Sequence, residues 1–315
     1  MIARPARLLF ALAAIAAAAP GAAVAAASGG DKEVPRMNSF GGSCPKCELS
    51  GRRLAGAHFT GADFSGAALV GSDLREARFV ASNFTNADLS RADLTDSELM
   101  GANFTGANMS HARLRSTEAK GVTFIGANLT NADLSDSEVA AANFTKAIMN
   151  GAILRSAELH YAVMANADAR GADFKDAELN GAVLAGGHFD KASFRSAELN
   201  GAVLTGGTFD GADFKDAELH RTVIAGADLS HARGFTQEQL DEACGDAKTR
   251  LPSGLTSRSC SSVRVIVQHA GAAMWGAHAY PMPPMPPSPP AIPAPPAPPA
   301  PPPTPTRYLI EMLSD

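Results

Sequence analysis

From Leu49 to Leu229 an apolar residue recurs at every fifth position without a break of frame. Of these 37 positions 30 are Leu or Phe, and the others are Met109, Ala119, Val139, Met149, Met164, Ala169 and Ile224. Two residues earlier stands a small residue in every repeat but that of Arg52, Ala in 26 cases, as in Ala62-Asp63-Phe64. Five steps advance a straight α-helix by about 500°, so the apolar positions would drift off one face, and an odd spacing switches faces along a straight strand. The chain must therefore turn once per repeat. A small and a large inward residue two positions apart suit a very short extended segment, and the Gly, Asn, Asp and Ser between them suit the turn that follows.

A second period sets how many turns close a circuit. Phe174-Lys175-Asp176-Ala177-Glu178-Leu179-Asn180-Gly181 returns as Phe194-Arg195-Ser196-Ala197-Glu198-Leu199-Asn200-Gly201, so the superperiod is 20 residues, or four repeats. Four corners per circuit predict a square coil. The repeats make about nine coils, which stack to about 43 Å at ordinary strand spacing. Residues 20 apart should form columns, and Phe64, Phe84, Phe104, Phe124 and Phe144 then form one interior ladder. Ala119 and Ala169 leave interior positions underfilled.

Ala87-Asp88-Leu89-Ser90-Arg91 and Ala132-Asp133-Leu134-Ser135-Asp136 resemble the A(D/N)LXX motif of the pentapeptide-repeat family. The resemblance covers about residues 48–233. It implies an all-β fold, a right-handed quadrilateral parallel β-helix, or solenoid. It leaves function wide, because members include scaffold modules, exported proteins and DNA-mimicking topoisomerase inhibitors.

Outside the repeats the chain changes character. Arg4 and Arg7, the apolar run Leu8 to Ala19 and the breaker Pro20-Gly21 precede small residues at Ala23-Val24-Ala25 and Ala25-Ala26-Ala27, the three parts of a secretory signal over residues 1–27. The competing reading is an uncleaved anchor helix, since Leu8 to Ala27 is just long enough to span a bilayer. Cleavage is favoured because the segment is Ala-dominated and broken by Pro and Gly, and no stable membrane span then remains. Residues 28–47 are expected as an N-terminal cap and 234–262 as a C-terminal cap. In the latter, Thr236 with Gln239 forms a capping box, and Gly245 is expected to end a short helix. Phe235 and Leu240 are expected to plug the last coil. Residues 263–315, mostly Pro from Pro281 to Pro305, are expected to form a disordered, extended tail. Four cysteines in an exported chain read as end-stapling disulfides, Cys44 with Cys47 and Cys244 with Cys260. A redox pair at Cys44 and Cys47 would need a strand before it and a helix after it, whereas a coil follows. A four-cysteine zinc site is excluded because the two pairs sit at opposite ends of the stack.

Charge narrows the functional classes further. The chain carries a formal net charge of -5, and residues 48–233 hold 24 acidic against 17 basic side chains. That is no basic field for nucleic acid, and the acidic excess is thin for a duplex mimic. No two histidines within the repeats are 20 apart, so a histidine metal site is not expected, nor are a catalytic residue or a cofactor. One outward column stands out: Glu98, Glu118, Glu138, Glu158, Glu178, Glu198 and Glu218. Like charges about 4.8 Å apart repel by about 1 kcal/mol even in water. Either the neighbouring column Arg115, Arg155, Lys175, Arg195 and Lys215 offsets them, or the ladder from Glu138 to Glu218 binds a cation or a basic partner. The expectation from sequence is a periplasmic or secreted, non-enzymatic scaffold presenting charged faces to a protein or envelope partner. The alternatives are a DNA-mimicking topoisomerase inhibitor and a Cys44/Cys47 redox protein.

Overall fold

The computed structural model describes residues 38–40 and 44–260. The expected signal peptide and the Pro-rich tail lie outside the described residues. Within them the chain winds in a parallel ladder whose register is 20 residues, running from Glu48 paired with Ala68 to Asp213 paired with Arg233. The extended part of each repeat is a single bridging residue, the one before the large apolar centre. Named strands are therefore few: β1 (Asn38–Phe40), β2 (His58–Thr60), β3 (Cys244–Gly245) and β4 (Arg258–Ser259). Strand β1 pairs parallel with β2 in the same 20-residue register, which carries the stack back beyond the start expected at residue 48.

The corners turn in the same way from Cys44 to Ile224. The residue two after the large inward position has positive φ at all 37 corners from Lys46 to Gly226, 20 of them non-glycine, and His231 after Leu229 is the departure. Positive φ at the third residue alone is the signature of a type II turn. Its closing bond is present, as where Ala92 N–H donates to Leu89 C=O at 3.0 Å.

The repeat Leu89–Asp93 accounts for all five of its backbone donors. Leu89 and Arg91 donate to Asn108 and Ser110 in the next coil at 2.7 and 2.9 Å, and Asp93 donates back to Ser72 at 2.9 Å. Ala92 closes the turn, and Ser90 N–H is taken by Asp88 Oδ1 at 3.0 Å. The motif's Asp or Asn thus satisfies the one donor that neither ladder nor turn can reach.

The inward positions form one continuous core. Phe84, Phe104, Phe124 and Phe144 are fully buried and Phe64 nearly so, with successive ring centroids 4.9 to 5.3 Å apart in stacked pairs. Ala119 and Ala169 are also fully buried. A second ladder, Phe174, Phe194 and Phe214, is extended by Phe235, whose ring stacks on Phe214 at 4.5 Å. Phe235 stands one residue out of frame. Gly234 allows the slip: its φ is +80°, and a Cβ there would lie 2.4 Å from the Lys215 nitrogen.

Beyond the slip the register lengthens, with Cys244 pairing with Val223 and Arg250 with Asp228. The inserted residues form helix α1 (Gln237–Glu242), opened by the Thr236–Gln239 capping box. Its end differs from expectation. Ala243, in extended conformation, closes the helix after six residues, and Gly245 belongs to β3. The helix stops early because Cys244 must return to the ladder, where its C=O accepts from Ile224 N–H at 2.8 Å. Leu240 is fully buried, and the Gln239 amide donates to the C=O groups of Phe214 and Ala217 at 3.2 and 2.7 Å. These contacts cover apolar surface and satisfy carbonyls at a coil end that would otherwise be an open sheet edge.

Both expected disulfides are present, and no cysteine is free among the described residues. Cys44 and Cys47 occupy the first and last positions of a corner turn, with Lys46 at positive φ and a Cα–Cα distance of 5.5 Å. The Cys-Pro-Lys-Cys run is therefore one more repeat corner, with half-buried sulfurs where other coils place a large and a small apolar residue. Cys244–Cys260 ties β3 to the residue after β4.

Candidate interaction faces

The Asp and Asn side chains that accept from the turn separate outward residues that serve the fold from those that do not. Asp63, Asn83, Asn103 and Asn143 in one column, and Asp88, Asn108 and Asn128 in the next, each accept from the N–H two residues on. Among the positions that abandon this role, two runs are filled by a single residue type, one by glutamate and one by valine.

The glutamates stack rung on rung, bridged pairwise from Glu98 to Glu218. Among the described residues none of them takes the turn N–H, because the longer side chain points past it. The basic column expected to offset them faces elsewhere. Arg155 pairs with Asp173 at 2.6 Å, Arg195 with Asp213 at 3.3 Å, Lys175 with Asp176 at 3.3 Å, and Arg115 with Asp136 at 3.6 Å. Arg155 and Arg195 thus turn onto the preceding aspartate column, while Lys175 and Arg115 pair with the corner aspartates Asp176 and Asp136. Four of the glutamates take a partner that stands two positions after the glutamate of the preceding coil and reaches across to the next. Lys120 bonds Glu138, His160 Nε2 lies 2.8 Å from Glu178, and the Asn180 and Asn200 amides donate to Glu198 and Glu218 at 2.7 and 2.9 Å. At the upper end Arg78 bonds Glu98.

The electrostatics grade along this face. The Lys120 pKa is raised, first by its hydrogen bond to Glu138 and then by the charges of Glu138, Glu118 and Glu158. One ammonium thus serves three carboxylates. Toward Glu198 and Glu218 the partners become neutral amides, so negative charge is hydrogen-bonded there without being cancelled. No group of three or more His, Cys, Asp or Glu side chains among the described residues is placed to hold a metal ion.

The valine stretch lies around the next corner. Val163, Val183, Val203 and Val223 stack in register below Asn143, replacing the asparagines of that column. Ala165, Ala185, Thr205 and Ala225 run beside them, and Tyr161, 72% exposed, covers Gly181 at the edge. Sequence reading missed this ladder, although spacing by 20 at the position before each centre, the arithmetic that exposed the glutamates, would have found it.

A family model described as pentapeptide repeats matches residues 46–80, 57–96, 97–136, 140–176, 177–216 and 197–233. The chain belongs to the pentapeptide-repeat family. Its ladder is accordingly the right-handed quadrilateral β-helix of that family. Among solved structures this pentapeptide-repeat protein is similar to HetL, a pentapeptide repeat protein involved in heterocyst differentiation regulation from the cyanobacterium Nostoc sp. strain PCC 7120. Identity is 27%, over 64% of this chain and 90% of HetL, with a TM-score of 0.59. A trypsin-treated form of QnrB1, a plasmid-mediated fluoroquinolone resistance protein, aligns at 18% identity over 66% of this chain and 91% of its own, with a TM-score of 0.35. No curated protein matches the chain in sequence. Among the described residues no helix is long and apolar enough to cross a membrane.

Proposed function

We propose that this pentapeptide-repeat protein is an exported, non-enzymatic scaffold that binds a protein of the cell envelope through side-chain columns held rigidly by the β-helix. The observation that carries the reading is that the glutamate and valine side chains form regular columns without accepting from the turn, as the neighbouring Asp and Asn side chains do. A site of this kind works by geometry. The backbone fixes the spacing, and a partner meets ordered side chains with little further loss of conformational entropy. Export rests on the N-terminal pattern of residues 1–27 and on paired cysteines, which persist in oxidising compartments.

The test has two parts. Mass analysis of the chain expressed with its N-terminus should find a start near residues 26 to 28 in the periplasmic or secreted fraction. Labelled full chain should then bind envelope fractions saturably, and unlabelled chain should compete. An unprocessed cytoplasmic chain would overturn export. Inhibition of gyrase supercoiling by stoichiometric protein, or thiol–disulfide exchange lost on Cys47→Ser, would replace the scaffold reading with topoisomerase inhibition or redox chemistry.

A further inference from the structure

The two columns whose side chains close no turn meet at one corner. Each valine follows a glutamate by five residues, so Glu178 and Val183, and Glu198 and Val203, are neighbours within a coil on either side of the same edge. On one side the carboxylates of Glu198 and Glu218 are bonded to neutral amides. On the other, four half-buried to buried valines and their Ala and Thr neighbours carry no charge. The edge between them is low at Gly201, where a Cβ would meet nothing within 4 Å. The only charge on the edge itself over these four rungs is Arg221, in the last coil.

We propose that this corner docks a basic amphipathic α-helix of the partner, with its apolar stripe on the valines and its flanking Lys or Arg side chains on the glutamates. The inference rests on the scaffold reading and names its partner's chemistry. Three observations select this occupant. The charge left on the corner is negative, which calls for a cationic flank. The period also fits: rungs repeat at about 4.8 Å, and successive turns of a helix at about 5.4 Å, so four rungs span about 14 Å against about 16 Å for three helical steps. An extended strand repeats its same-side residues at about 6.8 Å and loses register after one step. Finally, four rungs of both faces offer only ~400 Å², short of the ~800 Å² per partner that a stable pairing of two copies needs. A helix laid along the corner would bury both columns at once, which is the usual way a sheet face is covered.

The experiment uses the full chain and a fluorescein-labelled helical peptide of about 14 residues, with a leucine stripe flanked by a lysine stripe. Anisotropy should show saturable binding that weakens as salt rises. The double variant Val183→Asn, Val203→Asn installs the residue that the same column holds at 83, 103 and 143, so its melting curve should stay close to wild type. Its peptide affinity should fall at least about tenfold, the loss expected when central apolar contacts are removed. Glu178→Gln with Glu198→Gln should weaken binding and flatten its salt dependence.

No saturable binding by wild type, equal binding by the valine variant, or equal binding of a peptide with glutamates in place of lysines would overturn the proposal. So would a wild-type dimer that the valine variant converts to monomer, because a second copy would then be the occupant. If envelope binding by the full chain persists in the valine variant, the scaffold reading survives and this corner does not.

Discussion

Replacing Phe104 with Ala tests the interior ladder at a fully enclosed point. The ring is fully buried and stacks between Phe84 at 4.9 Å and Phe124 at 5.3 Å. Removing a buried phenylalanine side chain costs about 3 to 5 kcal/mol, and the upper part of that range applies because two stacked ring contacts of about 0.5 to 1.5 kcal/mol each vanish with it. The backbone ladder holds the coils at fixed spacing, so neighbouring rings cannot close the gap. In a solenoid each coil contacts only its neighbours, and the loss should be local. Amide hydrogen exchange should show protection in the two flanking coils falling by about three to nearly four powers of ten, while the last coils before α1 change little. Phe235→Ala gives the contrast, because that ring is only half-buried and stacks on one partner, so its loss should be smaller and confined to the C-terminal end. A change below about 1 kcal/mol at Phe104, or an equal loss of protection along the whole stack, would refute the reasoning.

Gly187→Ala should destabilise by about 1 to 3 kcal/mol in a urea melt, because the new Cβ would lie 2.6 Å from the fully buried Phe189 ring and 3.1 Å from the Ala167 carbonyl oxygen. Reduction should loosen the ends and spare the centre in hydrogen exchange. The Cys244–Cys260 bond, spanning 16 residues, is worth about 3 kcal/mol and the short Cys44–Cys47 clip about 2 kcal/mol on chain-entropy grounds. The Asp168 pKa is lowered, first by its hydrogen bond from Arg170, so its contribution is present above the ordinary aspartate range and lost as pH falls through the folded value. Asp168→Asn should therefore lower the melting temperature at neutral pH, and the gap from wild type should narrow below pH ~4. Lys120→Gln should destabilise more at low salt than at high salt, whereas Lys175→Gln should leave the glutamate ladder untouched.

Much of this protein was legible in its residues because a solenoid converts sequence period directly into space. Residues five apart must share a corner geometry and residues 20 apart must stack, so the Phe64 to Phe144 ladder, the glutamate column and the coil dimension all follow from counting. The capping box at Thr236 was readable for the same reason, being a local hydrogen-bond pattern. What counting could not reach were contacts that depend on how side chains extend from the ladder. Arg155 and Arg195 are nearer in number to Glu158 and Glu198 than to Asp173 and Asp213, and only the direction of the corner sends them to the aspartates. The termination of α1 at Ala243 likewise depends on Cys244 rejoining the ladder opposite Val223, a demand made by the preceding coil. Gly234 reads in sequence as an ordinary break, but its need comes from Lys215 of the coil before. The period determined which residues share a column; the three-dimensional path of each corner decided which columns face one another, because pairing across a corner depends on side-chain reach and direction rather than on separation along the chain.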